Sequence, residues 1–286
     1  MSLIEFNQVS FFHPTIDSED DRDSIRAIEV PEAVAHVFQN LTIDVPEGVV
    51  SLVGQNGIGK TTFLLLAGAR LFPATGSIRI GGRDSRDFHQ AMTDPEVESE
   101  RNSLISFVYQ NMEFETEEPI GTLMETIFAA SSRNEERNGL IEDLRRVLEL
   151  DAILNKKLQS LSKGQMQRAI LAFSLLYGSP IIMMDEPVFA LEEQQKERAF
   201  EYIFAYARKY NTSIYYSAHN LELTQKYSDH MLLFHKGGKI DVGPTAELFV
   251  RDRLEQAYQV PMDALYRRDS LYREVLVKLS GRQPGD

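Results

Sequence analysis

The stretch Gly54-Gln55-Asn56-Gly57-Ile58-Gly59-Lys60-Thr61 matches the pattern G-x-x-x-x-G-K-[ST]. Such a pattern carries phosphate chemistry. Glycines let backbone N–H groups turn inward around phosphate oxygens, and a helix opening at the lysine adds partial positive charge at its N-terminus. Lys60 is expected to reach the β- and γ-phosphates of a nucleoside triphosphate, and Thr61 to ligate Mg²⁺. Gly54 through Thr62 are therefore the candidate nucleotide contacts.

A second chemical station lies far downstream. Ile181-Ile182-Met183-Met184 is an apolar run that ends in Asp185-Glu186. A carboxylate at such a strand end can hold Mg²⁺ directly or through water, and the next carboxylate is placed to polarise an attacking water. Acidic residues after strands are common on their own. Paired with the phosphate loop, they complete a hydrolytic site.

These residues need a scaffold. Val49 to Val53 is a short apolar run entering Gly54, as a buried parallel strand would. Thr62 to Leu71 reads as a helix, broken by Pro73 to Gly76. Further strands are expected at Ser77 to Ile80, Leu104 to Tyr109, Ile181 to Met184, Ser213 to Tyr216 and His230 to Phe234. Helical patterns run from Gly121 to Leu161, with Leu140, Leu144, Val147 and Leu148 at spacings of three and four, and from Glu193 to Lys209. Asp94 to Arg101 is polar and reads as loop. The alternation of strands and helices predicts an α/β fold with a mostly parallel sheet. Near the start, Leu3, Ile4, Phe6, Val9 and Phe11 alternate like a strand, as do Leu41, Ile43 and Val45. Between them the acidic run Asp17 to Asp23 reads as a solvated loop. The tail from Thr245 to Asp286 reads as helical, fraying at its end.

Composition narrows the function. The 286 residues carry a formal net charge of −13. Such a surface repels nucleic-acid backbones and anionic lipid head groups at long range. No nucleic-acid partner is expected, and membrane contact has to go through another protein. The absence of cysteine excludes disulfides, thiolate metal sites and a cysteine nucleophile. The N-terminal MSLIEFNQVSFFHP lacks the pattern of a secretory signal. Ala169 to Met184 is apolar, but Gly178-Ser179-Pro180 interrupts it well short of the roughly 20 residues of a membrane span.

Between the two stations lies Leu161-Ser162-Lys163-Gly164-Gln165-Met166-Gln167-Arg168, which resembles the LSGGQ signature of ATP-binding cassette (ABC) ATPases. Gln110 matches that family's Q-loop, His219 its switch histidine, and Val188-Phe189-Ala190-Leu191-Glu192 stands in place of its D-loop. The resemblance covers roughly residues 3 to 250. It implies a P-loop NTPase core with a small antiparallel β subdomain, and a helical subdomain at about 111–161. Residues 251–286 form a C-terminal helical tail beyond the cassette at 1–250. It further implies ATP and Mg²⁺ as ligands, with Glu186 as general base, His219 on the γ-phosphate, and Gln110 linking metal and water to the helical part. Two cassettes, identical or different, pair head to tail, so Ser162, Gly164 and Gln165 of one serve the phosphate loop of the other. The partners implied are transmembrane permease subunits, contacted through Phe114, Pro119 and Ile127. The location implied is cytoplasmic, peripheral to the cell membrane. A separate cassette chain suggests an importer. Leu254 to Pro261 is similar to the end of iron-chelate and cobalamin importer ATPases. The same pattern suits an amphipathic helix packing on its own domain.

Three positions depart from the family pattern. Lys163 adds a cation to the signature and is expected to point to solvent. Glu192 replaces an aspartate. The aromatic residue expected on adenine is replaced by His13 in ungapped alignment, with Phe12 as its neighbour, ahead of a long insertion from Thr15 to about Glu32. A soluble cassette of DNA repair or translation, or a regulatory cassette, stands as the alternative function. The single phosphate loop, the missing heptad run, the missing cysteines and the net charge count against the first, and the intact Lys60, Asp185, Glu186 and His219 count against the second.

Overall fold

A computed structural model describes residues 2–13, 36–91, 93–109, 116–131, 138–218 and 220–265. Two β-strands open the chain, β1 (Ser2–Phe12) and β2 (His36–Pro46), and β3 (Val49–Val53) leads into α1 (Lys60–Ala67). Next come β4 (Thr75–Ile80), β5 (Arg83–Asp84), α2 (Pro95–Leu104) and β6 (Ile105–Val108). A helical stretch holds α3 (Ile120–Ala130), α4 (Leu140–Val147) and α5 (Lys163–Tyr177). Then follow β7 (Ile181–Met184), α6 (Glu193–Tyr210), β8 (Ser213–Ser217), α7 (Leu221–Tyr227), β9 (His230–Phe234) and β10 (Ile240–Pro244). The chain closes with α8 (Thr245–Leu248) and α9 (Arg251–Tyr258).

The expected architecture is present. A six-stranded sheet runs in the order β10-β9-β3-β8-β7-β6, parallel except for β10 at one edge. A four-stranded antiparallel sheet runs β2-β1-β4-β5. The central strands are apolar throughout because both faces are covered. Alternation along each strand divides them between two cores. Ile181 and Met183 of β7 face one core, together with Phe63 of α1 and with β1, β2 and β4. Ile182 and Met184 face the other, built mainly from α3 to α6. Helix α1 lies between the two sheets. Its Phe63 stacks on Phe6 at 4.7 Å and meets Phe38 and Phe234 edge-on at 6.1 and 5.6 Å.

Helix ends follow local chemistry. Ser162 caps α5, and Gly178 ends it in the left-handed conformation at φ +72°. Asn211 ends α6 in the same way at φ +49°.

The polar stretch 94–101, read as loop, instead belongs to helix α2. Asp94 caps it by accepting from the Glu96 amide, Pro95 occupies the first turn, Glu96 and Glu98 sit near the N-terminus, and Arg101 lies in the last turn. Caps and charge placement, rather than an apolar stripe, specify this helix, so periodicity does not reveal it. The predicted helix 62–71 is shorter and starts at Lys60. The acidic run 17–23 and the whole 15–32 insertion are outside the described residues, as is the tail beyond 265.

Helix α9 does not stand apart from the cassette. Leu254 and Ala257 are fully buried with Val53, Met231, Leu233 and Leu248. No helix among the described residues is long and apolar enough to cross a membrane.

Candidate active site

The phosphate loop, Asp185 and Ser217 all lie at the carboxyl ends of adjacent strands. Leu52 of β3 is in register with Ser217 of β8, and Tyr216 with Met184 of β7. In an open α/β sheet this edge is where ligands bind.

The loop 54–59 has the backbone its sequence requires. Gly57 takes φ +72° and Gly59 φ +105°, and a Cβ on Gly59 would lie 2.9 Å from Val37 Cγ1. Gly59 precedes α1 with no side chain capping the helix, so its first amides face the loop uncapped. Lys60 is buried at 6% exposure. Its ammonium donates to the carbonyls of Gly54 and Gln55 at 2.8 and 2.9 Å. Burial pulls its pKa from 10.5 down to about 8, against the attraction of Glu186 and Asp185.

Asp185 holds the centre of the hydrogen-bond chain. Thr61 Oγ1 donates to Asp185 Oδ2 at 2.9 Å, and Ser217 Oγ donates to Asp185 Oδ1 at 2.6 Å. The Ser217 hydroxyl also accepts from the Glu186 amide at 2.8 Å. Glu186 itself adopts φ +49°, a region costly for a residue with a side chain. Its carbonyl accepts from Gln167 Nε2 at 2.9 Å, and Gln167 Oε1 accepts from the Ala190 amide at 2.7 Å. One buried side chain of α5 thus pins both ends of the turn from Glu186 to Ala190.

A Mg²⁺ fits these donors. The Thr61 hydroxyl and the Asp185 carboxylate are hard oxygen ligands already adjacent. Among the described residues there is no group of three or more His, Cys, Asp or Glu side chains that could hold a metal alone. Mg²⁺ bound through one carboxylate, with phosphate and water filling its other positions, matches that sparse set.

The signature residues sit at the start of α5. Ser162 Oγ accepts from the Gln165 amide at 3.3 Å, and Gln165 Oε1 accepts from the Ser162 amide at 3.2 Å. A Cβ on Gly164 would lie 2.9 Å from the Ala190 carbonyl, so only glycine permits this approach. Ser162 and Lys163 are exposed, in line with a Lys163 that points to solvent. Glu192 caps α6, its amide donating to Gln195 Oε1 at 3.4 Å. His13 is exposed, and its Nε2 lies 3.2 Å from Thr62 Oγ1 at the start of α1. Its ring meets Phe11 edge-on at 5.2 Å. Phe12 is half-buried in β1. Gln110, Phe114 and His219 lie outside the described residues.

Two residues of this site escaped the sequence reading. Ser217 shows itself only as a hydroxyl ending a buried strand next to the phosphate strand. Gln167 shows itself only as a polar residue among the apolar positions of α5.

Residues 38–189 match the family model described as ABC transporter. A molybdenum import ATP-binding protein of Photobacterium profundum is 26% identical over 211 residues, 73% of this chain and 56% of the relative. A hemin import ATP-binding protein of Streptomyces coelicolor is 27% identical over 228 residues, 79% of each chain. Export and lipoprotein-releasing proteins are also among the similar chains. The chain spans a little over half the length of the molybdenum import relatives. In fold it is similar to a dimeric ATP-binding cassette in a post-hydrolysis state bound to ADP and Pi. That likeness has a TM-score of 0.66 at 20% identity, over 84% of this chain and 98% of the other. With more than half of its length under one family model, the chain belongs to the ABC transporter family as an ATP-binding cassette.

Proposed function

We propose that this protein hydrolyses ATP to ADP and phosphate as the nucleotide-binding subunit of a membrane importer, working as a head-to-tail dimer at the cytoplasmic face of the cell membrane. The observation that carries the reading is the unbroken chain Thr61–Asp185–Ser217–Glu186 beside the buried Lys60.

The residues divide the work. The Lys60 ammonium exchanges its two loop carbonyls for β- and γ-phosphate oxygens, and the free amides at the start of α1 take the rest. Thr61 and Asp185 would hold Mg²⁺, which supplies neutralisation of phosphate charge. Glu186 takes a proton from the water whose oxygen attacks the γ-phosphorus as the bond to the leaving ADP oxygen breaks. His219 would contact the γ-phosphate, and Gln110 would link Mg²⁺ and the attacking water to the helical part. His13, with Phe12 beside it, serves the adenine end.

Ser162, Gly164 and Gln165 of a second cassette would close over the phosphates. Only ATP presents a γ-phosphate to them, so the nucleotide state biases dimer closure. The exposed start of α5 suits such a contact. The permease would dock on the patch around Pro119 and Ile127, of which Pro119 is exposed and Ile127 half-exposed. The import direction is supported by the names of the molybdenum and hemin relatives.

The test is ATPase turnover with Mg²⁺ for the wild type and Glu186→Gln, with oligomeric state followed in ATP. The reading expects a hydrolysing wild type and a variant that binds ATP, stalls and accumulates as a dimer. Absence of hydrolysis and of ATP-dependent dimers in both would reject the motor role.

A further inference from the structure

Helix α9 ends beside the phosphate loop. Gln55, the second residue of that loop, donates its side-chain amide to the main-chain carbonyl of Tyr258, the last residue of α9. The same Gln55 offers its own carbonyl to Lys60 at 2.9 Å. One residue thus touches both the catalytic lysine and the C-terminal helix.

The seating of α9 is firm. Leu254 and Ala257 bury completely against Val53, the residue directly before Gly54. Glu255 Oε1 accepts from Arg251 Nε at 2.9 Å and from the Met262 amide at 2.8 Å, tying α9 to the helical residues 262–265 that follow. Leu265 of that segment is buried in the same cluster. The tail therefore holds the strand that enters the loop, and the loop itself.

We propose that residues 251–265 position the phosphate loop through Gln55, so that nucleotide binding and the seating of this tail are coupled. The proposal rests on the nucleotide reading of the loop and extends it to a residue and segment outside the reacting groups. Lys60 must leave the Gln55 carbonyl to meet phosphate. A Gln55 held from behind by Tyr258 keeps the loop open for that exchange. Coupling is reciprocal: whatever unseats the tail weakens nucleotide binding, and bound nucleotide protects the tail.

The experiment measures two things on the full chain: affinity for Mg²⁺-ATP, and hydrogen exchange of residues 251–265 with and without nucleotide. The proteins are the wild type, Gln55→Leu, Leu254→Ala, the double variant and Lys60→Ala. Gln55 is half-buried at the surface, so its variant is expected to fold; Leu254→Ala attacks the contact from the other side. A lost hydrogen bond of ordinary worth predicts about fivefold weaker binding for Gln55→Leu. Faster tail exchange, nucleotide-dependent protection in the wild type, and a double variant no worse than the worse single variant complete the expected pattern. Wild-type affinity in Gln55→Leu, tail exchange indifferent to nucleotide, or additive losses in the double variant would overturn the coupling while Lys60→Ala still abolishes binding. Absence of nucleotide binding by the wild type would overturn both this proposal and the reading of the site.

Discussion

The Ser217 hydroxyl donates to Asp185 Oδ1 at 2.6 Å from the end of the neighbouring strand, and with the same oxygen accepts the amide of Glu186. A single buried hydroxyl therefore sets the carboxylate proposed to hold Mg²⁺ and the turn that carries the proposed general base. Ser217→Ala is expected to lower kcat for ATP about tenfold or more, from the ~1–3 kcal/mol of leaving buried polar groups unsatisfied. Steady-state kinetics beside a nucleotide titration checks this. An unchanged kcat would remove Ser217 from the site.

Gln167 is expected to separate binding from turnover. It bridges the Glu186 carbonyl and the Ala190 amide, and it is buried at 8% exposure. Gln167→Leu should cost about 1–3 kcal/mol of stability and slow hydrolysis while leaving ATP affinity nearly intact. Thermal unfolding and kinetics on one preparation decide it. A variant with normal turnover would show that the turn holds without this bridge.

The lysine gives a pH signature. Lys60 is depressed from 10.5 to about 8, chiefly by burial. It is charged below pH 8 and releases its proton as pH rises through 8. ATP affinity should therefore fall between pH 8 and 9.5, with proton uptake per ATP bound rising toward one across that range. Calorimetry in buffers of different ionisation enthalpy reads the proton directly. For stability the sign is opposite. Between about 8 and 10.5 the unfolded chain holds the proton that the native lysine has lost, so this group makes the unliganded fold more stable as pH rises. A flat affinity profile to pH 9.5 would show that the loop keeps Lys60 charged.

His13 lies against the start of α1 through Thr62, whereas Phe12 is half-buried in β1. His13→Ala is expected to weaken nucleotide binding more than Phe12→Ala, with little effect on phosphate alone. Titration of both variants with ATP and with inorganic pyrophosphate separates the adenine and phosphate ends. Equal losses for both ligands would place His13 with the phosphates.

Most of the frame was legible because each signal had a simple physical cause. Strands covered on both faces must be apolar runs, so β3, β7, β8 and β9 stand out in the sequence. Glycines at positive φ mark the loop before α1. Helix α2 was not legible, because Asp94, Pro95 and Arg101 define it by end chemistry while its middle lacks an apolar stripe. Ser217 and Gln167 were hidden for another reason. Their importance comes from what lies across the fold, 32 and 19 residues away in sequence, and no local pattern encodes such a meeting.

The backbone of Glu186 has a further consequence. At φ +49° a glutamate is held where asparagine or glycine rests more easily. Stability and catalysis therefore pull in opposite directions at one codon. Glu186→Asn would relieve local strain and also remove the proposed general base. Selection for heat resistance alone would be expected to relax this position, and its retention in a hardened variant would be a record of continued selection for turnover.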